Sequence, residues 1–333
     1  MRYIVHLLES DGKILVAGGG GFIGGHLISR LISEGFKDIR AADIKPIQQW
    51  SQLHQEVESV TTDLSKLESA MAVMKDVSYV FNLAADMGGM GFIETHKAEC
   101  MLSVLINTHL LQAAKKVKVE KYFFSSSACV YNADKQASPH VIPLRESEAY
   151  PALPEDGYGW EKLFSERMCR HFEEDFGLAV RVARYHNIYG PLGTWDGGRE
   201  KAPAAICRKV AFAKLLGNDE IEIWGDGNQT RSFTFIDDCI EGTLRIFDGP
   251  FSTPFNVGSS ELVTIDQLVD IVEEIAGTNL RRKYVLDAPR GVSGRNSDNS
   301  LIKQHMGWEP TISLRRGMEI TFSWIYDQIQ RRT

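Results

Sequence analysis

The stretch that decides the fold is Lys13-Ile14-Leu15-Val16-Ala17-Gly18-Gly19-Gly20-Gly21-Phe22-Ile23-Gly24. It joins a short apolar strand to a helical pattern that extends over residues 22–33. Its glycines satisfy both G-x-x-G-x-x-G and the more general G-x-G-x-x-G. Such glycines permit a tight turn and a close approach of the backbone to a pyrophosphate at a helix N-terminus. The segment fits an ordinary strand-to-helix turn as well, but it predicts a dinucleotide site whose contact residues would be Gly18, Gly21, Phe22, Ile23 and Gly24.

Further strands alternate with helical segments along the first half of the chain. Apolar runs predict strands at residues 39–43, 77–83, 121–125 and 178–184. Alternation of this kind predicts a parallel sheet covered on both faces. The predicted fold class is therefore α/β, a Rossmann-like doubly wound parallel sheet with a smaller C-terminal substrate-binding region. We expect a cofactor-binding domain over residues 1–186. Residues 187–333 would bind mainly the substrate, with some of that chain returning to the first domain.

Composition narrows the class of protein. The chain has 333 residues, 43% hydrophobic and 24% charged, with a formal net charge of −7. This suits a large core and disfavours a nucleic-acid surface. We find no apolar run of about 18 residues and no signal-peptide pattern, so we predict no membrane span. The five cysteines are dispersed, as is typical of reduced thiols in the cytoplasm, and the histidines show no spacing that predicts a metal site.

An acidic residue ends the second predicted strand, about 20 residues beyond the glycine loop. The carboxylate of Asp43 can hold both ribose hydroxyls of NAD and would repel the 2′-phosphate of NADP, so NAD is the favoured cofactor. Asp43 could instead be an ordinary turn former. Asp63, Leu64, Leu83 and Ala84 follow later strands and could line the rest of the cofactor, although strand-end packing explains them as well.

A tyrosine and a lysine four residues apart, Tyr158 and Lys162, would share one face of a helix. An ammonium beside a phenol favours the phenolate, so we expect the pKa of Tyr158 to fall from about 10 toward neutrality. The phenol could then exchange a proton with a sugar hydroxyl while NAD accepts the hydride, and Ser127 would bind the same hydroxyl. Taken alone the pair fits an exposed helix face; the glycine loop and the serine-rich strand end favour catalysis. Asn107 would either hold a group behind Lys162 or satisfy core hydrogen bonds.

A cysteine follows Ser127 by two residues. A ketone at one sugar carbon acidifies the hydrogens on its neighbours, and the thiolate of Cys129 could remove such a proton. Without that context, a cysteine at a strand end is usually a small buried hydrophobic residue. Hydride chemistry combined with a carbon base favours an isomerase over a simple dehydrogenase.

These residues resemble the extended short-chain dehydrogenase/reductase family, whose NAD-dependent epimerases and dehydratases modify nucleotide-linked sugars. The resemblance extends over almost the whole chain and includes the later segment 224–238. Four blocks are similar, more narrowly, to the subgroup that epimerises GDP-mannose at C3 and C5. They are residues 84–92, 126–131, 187–203 and 294–299.

The resemblance implies a role for each matching residue. Tyr158, with Lys162, would serve the oxidation of C4 by NAD. Cys129 would remove the protons at C5 and C3, and Lys201 would return them on the opposite face. Arginines suit the diphosphate, because their planar fork binds phosphate oxygens in pairs. The residues expected to contact the nucleotide sugar are Gly88, Ser127, Ala128, Cys129, Asn187, Glu200, Lys201, Ala202, Lys209, Gln229, Arg231 and Arg295.

The implied activity is conversion of GDP-mannose to GDP-L-galactose, GDP-L-gulose or both, with NAD retained, by an enzyme that forms a homodimer. Related dehydratases usually carry Asp and Glu where this chain has Ala128 and Cys129, which disfavours elimination of water. One alternative is an epimerase of the same family that acts on another nucleotide sugar or at one carbon only. A distant alternative is a regulatory protein that binds NAD without turnover, although such proteins usually lack the Tyr-Lys pair.

Overall fold

A central sheet and its helices account for most of the chain in a computed structural model, which describes residues 12–289 and 291–332. The strands are β1 (Lys13–Ala17), β2 (Ile39–Asp43), β3 (Glu58–Thr61), β4 (Val77–Asn82), β5 (Lys121–Ser127), β6 (Ala179–Tyr185), β7 (Ile188–Tyr189), β8 (Glu220–Trp224), β9 (Thr230–Ser232), β10 (Thr234–Phe235), β11 (Phe255–Val257), β12 (Leu262–Thr264), β13 (Arg281–Val285) and β14 (Gly294–Arg295). The α-helices are α1 (Phe22–Ser33), α2 (Leu67–Val73), α3 (Met90–Thr95), α4 (Lys97–Val117), α5 (Tyr158–Phe176), α6 (Ala202–Leu216), α7 (Ile236–Asp248), α8 (Ile265–Ala276), α9 (Ser300–Met306) and α10 (Leu314–Gln330).

The central sheet has seven parallel strands in the order β11-β6-β5-β4-β1-β2-β3. Side chains of β1 alternate between two cores: Ile14 and Val16 pack in one, and Leu15 and Ala17 in the other. Both faces are buried, which explains why these strands are continuous apolar runs. The predicted α/β doubly wound fold is confirmed. The chain runs from β1 outward to β3 and then crosses back to β4, which lies on the other side of β1. This reversal of direction leaves a crevice at the carboxyl ends of the strands.

The later half of the chain forms smaller sheets beside this crevice. Strands β8 and β13 pair in parallel, β9 lies between β12 and β14, and β7 pairs with β10. Strand β11 belongs instead to the central sheet, where it pairs with β6. The division of the chain after residue 186 stays a prediction.

One difference from the expected elements bears on the site. Strand β5 extends to Ser127, two residues beyond the predicted end, and pairs with β6 as far as Tyr185. The serines therefore lie within the sheet, where the backbone fixes their directions. In the described residues, no helix combines the length and apolar character that a membrane crossing needs.

Candidate active site

The glycine loop lies between β1 and the start of α1. Gly18 has a φ of +81°, which an L side chain rarely adopts. A Cβ on Gly24 would lie 2.1 Å from the carbonyl oxygen of Gly18. Gly21 is the N-cap residue of α1; no side chain caps this end and no acidic residue lies in its first turn, where Phe22 and Ile23 stand. A pyrophosphate fits this arrangement, because glycines leave room beside a helix end that attracts anions.

The acidic and apolar residues predicted for the cofactor differ in their surroundings. Asp43 is the last residue of β2, and one of its carboxylate oxygens accepts the Lys45 backbone N–H at 3.0 Å. An oxygen of Asp63 accepts both the backbone N–H and the hydroxyl of Ser65, and the hydroxyl contact lowers the pKa of Asp63. Leu64 is buried in the core. Asp63 therefore stabilises its own turn, whereas Asp43 stands at the edge of the crevice.

Residues after β4 adjoin the glycine loop. The Leu83 backbone N–H donates to Ala17 O at 2.9 Å, and a Cβ on Gly18 would lie 2.9 Å from the Ala84 backbone nitrogen. The structure thus brings Leu83 and Ala84 to the same edge of the sheet as Gly18.

Tyr158 is the first residue of α5 and is 5% exposed. The hydroxyl of Ser127, from the end of β5, forms a hydrogen bond with its phenol. The Lys162 ammonium lies 5.5 Å from the centroid of the Tyr158 ring and 3.7 Å from an oxygen of Glu161. The predicted group of Ser127, Tyr158 and Lys162 is therefore assembled around one buried phenol.

The expected fall in the pKa of Tyr158 is wrong for this structure. Burial raises its pKa well above the ordinary value, and the nearby Cys129 and Glu161 raise it further, while Ser127 opposes the shift. Removing a phenol from water disfavours its charged form. The Lys162 ammonium lies 3.7 Å from an oxygen of Glu161, the same carboxylate that raises the pKa of the phenol.

Asn107 satisfies core hydrogen bonds. It is 1% exposed, its side-chain oxygen accepts from Asn82 and from the Tyr122 hydroxyl, and its amide donates to the Ser165 carbonyl oxygen at 3.5 Å. This favours the structural alternative for Asn107, in the core beside α5.

Cys129 lies in a 3-10 turn that follows β5, between Ala128 and Val130. Its backbone N–H donates to the Ser127 hydroxyl oxygen at 3.2 Å. Its thiol shares a buried apolar cluster with Tyr158 and Cys100, and Nη1 of Arg295 lies 3.6 Å from Sγ. The thiol therefore faces both the phenol and a cation.

Lys201 lies within electrostatic range of Cys129. It is the N-cap residue of α6, just before Ala202, and burial lowers its pKa while the Cys129 sulfur opposes that shift. The segment before it is held against the residues before α3: the Gly89 N–H donates to Arg199 O at 2.9 Å, and a Cβ on Gly89 would lie 2.3 Å from Glu200 O. The buried Gly88 precedes this contact. The structure thus places the Lys201 ammonium where it interacts electrostatically with the thiol.

Other predicted substrate residues are divided between the crevice and local contacts. Arg231 is half-buried. Burial lowers its pKa to about 10 and the Cys129 sulfur opposes that shift, so its guanidinium also belongs to the crevice. Asn187 donates to Ser232 O at 2.9 Å, and Lys209 donates to Glu222 O at 2.6 Å. Both amide atoms of Gln229 are buried with no hydrogen-bond partner in the described part of the chain.

Two residues that sequence reasoning missed complete the surroundings of Cys129. Glu155 forms an ion pair with Arg295, and Gln136 accepts a hydrogen bond from Nε of Arg295 at 2.6 Å. Neither residue stands in a motif, so no local signal could have found them. Glu200, which was predicted, accepts a hydrogen bond from Arg208 at 2.6 Å and from the Gly198 N–H at 2.7 Å, and so stabilises its own segment.

Within residues 12–289 and 291–332, no group of three or more His, Cys, Asp or Glu side chains is arranged to hold a metal ion.

Comparison with known proteins identifies the family. Residues 14–258 match the NAD dependent epimerase/dehydratase family. GDP-mannose 3,5-epimerase 1 of Oryza sativa subsp. indica is 46% identical over 320 residues, covering 96% of this chain and 83% of the relative. The GDP-mannose 3,5-epimerase of Arabidopsis thaliana is 44% identical with the same coverage.

Solved structures give the same result. UDP-glucose 4-epimerase of Thermotoga maritima, solved with UDP-glucose, is 26% identical with a TM-score of 0.85, over 95% of this chain and 99% of that one. UDP-glucuronic acid 4-epimerase of Bacillus cereus, solved with UDP-glucuronic acid and NAD, is 25% identical with a TM-score of 0.81, over 95% and 99% of the two chains. This chain therefore belongs to the NAD dependent epimerase/dehydratase family.

Proposed function

We propose that this protein is an isomerase that epimerises GDP-mannose at C5 and C3, giving GDP-L-galactose, GDP-L-gulose or both. The observation that carries the proposal is that Cys129 and Tyr158 share one buried cluster, with the Ser127 hydroxyl hydrogen-bonded to both residues and Lys201 close enough to interact electrostatically with the thiol. Epimerisation needs a base and an acid at the same carbon, and this crevice has a thiol and an ammonium close to the phenol that serves the neighbouring hydroxyl. Relatives at 44% and 46% identity carry the name GDP-mannose 3,5-epimerase, which supports the choice of substrate.

NAD is the proposed cofactor, since the residues fit it. The uncapped end of α1 and the glycine turn would hold the pyrophosphate, and Asp43 would hold the ribose. NAD would supply a positively charged ring that accepts the C4 hydride and later gives it back.

The chain's own residues would manage the protons. Tyr158, with the Ser127 hydroxyl on its phenol, holds and moves the proton of the C4 hydroxyl. Cys129 removes the proton at C5 or C3, and Lys201 donates one to the opposite face. Lys201 suits this role, because burial lowers its pKa and makes its ammonium a better proton donor.

The charges of the crevice favour a diphosphate. Lys201, Arg231 and Arg295 place positive charge around the Cys129 thiol. Guanidinium and ammonium groups are the donors that phosphate oxygens prefer, and the planar guanidinium fork can bind two of those oxygens at once. The diphosphate of a GDP-hexose supplies such oxygens.

The first test is incubation of the purified protein with GDP-mannose in D₂O, followed by proton NMR, with no NAD added. We expect deuterium at both C5 and C3, together with new epimers. The variant Cys129→Ser should lose the exchange and keep its NAD, whereas Cys207→Ser, a buried thiol within α6, should behave as the parent protein does. Exchange at C5 alone would indicate a gulose-forming enzyme.

Other results would move the assignment elsewhere. No exchange in the parent protein, even with NAD supplied, would exclude GDP-mannose and direct the search to other nucleotide sugars. A protein that retains NAD but turns over none of them would be a regulatory binding protein. In that case Tyr158→Phe would change nothing, whereas the epimerase loses turnover with its NAD retained.

We also propose that the protein forms a homodimer through α4 and α5, which pack side by side. On α4, Leu102 is 59% exposed, and on α5, Phe164 is 54% exposed. Further apolar side chains of the same helices are exposed at Met101, Leu105 and Trp160. Apolar residues clustered on a surface mark an interaction site. Analytical ultracentrifugation should give a dimer for the parent protein and a monomer for Phe164→Glu, while Leu216→Glu on α6 should stay dimeric.

A reducing compartment, the cytoplasm, is the proposed location. All five cysteines are buried and free in the structure. A base at Cys129 works only as a reduced thiol, because the thiolate is the reactive form. Fractionation of the source cells should find the protein in the cytosol, and recovery from an oxidising compartment would contradict the proposal.

A further inference from the structure

One carboxylate reaches the site from the loop that precedes α5. The Glu155 backbone N–H donates to Cys129 O at 3.0 Å, so the loop and the 3-10 turn are fixed to each other. The same loop is bound again nearby, because Asn132 donates to Pro151 O at 2.8 Å and the Ala133 N–H donates to Leu153 O at 2.8 Å. Glu155 therefore projects from backbone that is held at Glu155 itself and at two residues shortly before it.

The guanidinium of Arg295 is oriented by three contacts. Nε donates to Gln136, Nη2 donates to Glu155, and Nη1 lies 3.6 Å from the Cys129 sulfur. The Arg295 and Glu155 side chains are 5% and 11% exposed. Such a fork has five N–H donors in fixed directions, so two contacts on one edge determine where the third points.

We propose that Glu155 is a positioning residue: its carboxylate holds the Arg295 guanidinium beside the Cys129 thiol and balances its charge. Without Glu155, the thiol would face an uncompensated cation and lose its proton at lower pH. The thiolate would then be a weaker base toward carbon. The importance of this for turnover rests on the proposed epimerase function, but the arrangement itself can be tested in the protein without substrate.

Several elements contribute groups that face the thiol, and they set its response to pH. They are Arg295 on β14, Arg231 on β9, Lys201 at the start of α6, and Tyr158 on α5. Cys100 on α4 belongs to the same cluster. Three of these groups are cations, and Glu155 is the carboxylate paired with one of them, so its loss increases the positive charge that faces the thiol. A charge within about 4 to 6 Å changes such an equilibrium by about one to three pH units.

The test is the pH dependence of Cys129 alkylation by iodoacetamide, in the protein without GDP-mannose, with the Cys129→Ser variant as background. We expect Glu155→Gln to lower the pH midpoint by about one unit. Glu155→Asp keeps the charge, so its midpoint should stay near that of the parent protein. Glu241→Gln is the matched control. Glu241 lies on α7, away from the thiol, and pairs with Arg245 of the same helix and with Arg30 of α1. Loss of its charge should leave the midpoint of Cys129 alkylation unchanged.

A double variant separates the effect of the Glu155 charge from general damage to the fold. Arg295→Gln alone should raise the midpoint, because Glu155 is then left without its cation. Adding Glu155→Gln removes both charges and should return the midpoint toward that of the parent protein. If Glu155→Gln matches Glu241→Gln, or if the double variant matches Arg295→Gln alone, the proposal is wrong. A parent protein that fails to epimerise GDP-mannose would remove the proposed function and leave the alkylation result standing.

Discussion

A methyl group at Gly24 should weaken the cofactor site more than the same change one residue later. In Gly24→Ala the new Cβ would lie 2.1 Å from Gly18 O, which is backbone and cannot rotate away. In Gly25→Ala it would meet the Gln52 amide at 2.7 Å, the end of a flexible side chain. Both glycines lie in α1, so both variants gain the same helix propensity, roughly 0.5–1 kcal/mol.

The two variants therefore differ only in the atoms that the new methyl group meets, which are backbone at Gly24 and a side chain at Gly25. Relief of the Gly24 clash requires the Gly18–Gly21 turn and α1 to separate by about 1 Å, and overpacking of this kind costs about 1–3 kcal/mol. We expect Gly24→Ala to unfold roughly 2–6 °C lower than the parent protein. It should also lose bound NAD, since the helix end moves away from the pyrophosphate. Gly25→Ala should match or slightly exceed the parent protein.

Differential scanning calorimetry and the NAD content of the purified variants measure both effects. Equal stability and equal NAD content for the two variants would refute the reasoning, because only Gly24 meets backbone. Lower NAD content in Gly24→Ala with unchanged stability would show that the turn adjusts without cost, and would leave only the cofactor argument.

Three further outcomes follow from charge and burial. Asp43→Ala should weaken NAD binding about tenfold and reduce discrimination against NADP, measured by fluorescence titration, because a charged hydrogen-bond acceptor is lost. Burial lowers the pKa of Lys201, so below about pH 10.5 the unfolded chain binds this proton more readily than the folded protein does, and the folded state is destabilised. Lys201→Met removes that cost and should therefore raise the melting temperature at pH 7, while epimerisation is lost. Burial, with a smaller contribution from Arg184, lowers the pKa of His186 from 6.5 to about 4. Stability should therefore fall by about 3 kcal/mol as the pH drops from 6.5 to 4, and His186→Gln should remove that part of the slope in denaturant titrations.

Local patterns predicted the sheet and the glycine loop well. Strand β1, the α1 range and Asp43 at the end of β2 depend on neighbouring residues, so periodicity and glycine spacing suffice to find them. The end of β5 was placed too early, because Ser126 and Ser127 look like loop residues until β6 is seen to pair with them. Polar residues can belong to a strand when a neighbouring strand pairs with them, and the sequence of one segment does not reveal that pairing.

The site was predictable only where it coincides with motifs. Tyr158 was found from its spacing to Lys162, and Cys129 and Lys201 from blocks that resemble the family, but the contact of Glu155 with Arg295 joins residues far apart in the chain. The expected effect of Lys162 on the pKa of Tyr158 was wrong for a related reason. Spacing predicted that the two side chains are neighbours, whereas burial of the phenol and the carboxylate of Glu161 depend on the whole fold.

The position of β11 has a consequence for synthesis on the ribosome. The strand that covers the outer edge of β6 comes from residues 255–257, whereas β6 itself ends at Tyr185. A nascent chain that has emerged only as far as β6 therefore exposes unpaired backbone groups on a strand whose side chains are almost all buried in the finished protein. Such edges recruit other strands and promote aggregation. The protein is expected to depend on chaperones until β11 has emerged, and truncation before residue 255 should yield aggregates rather than an isolated nucleotide-binding half.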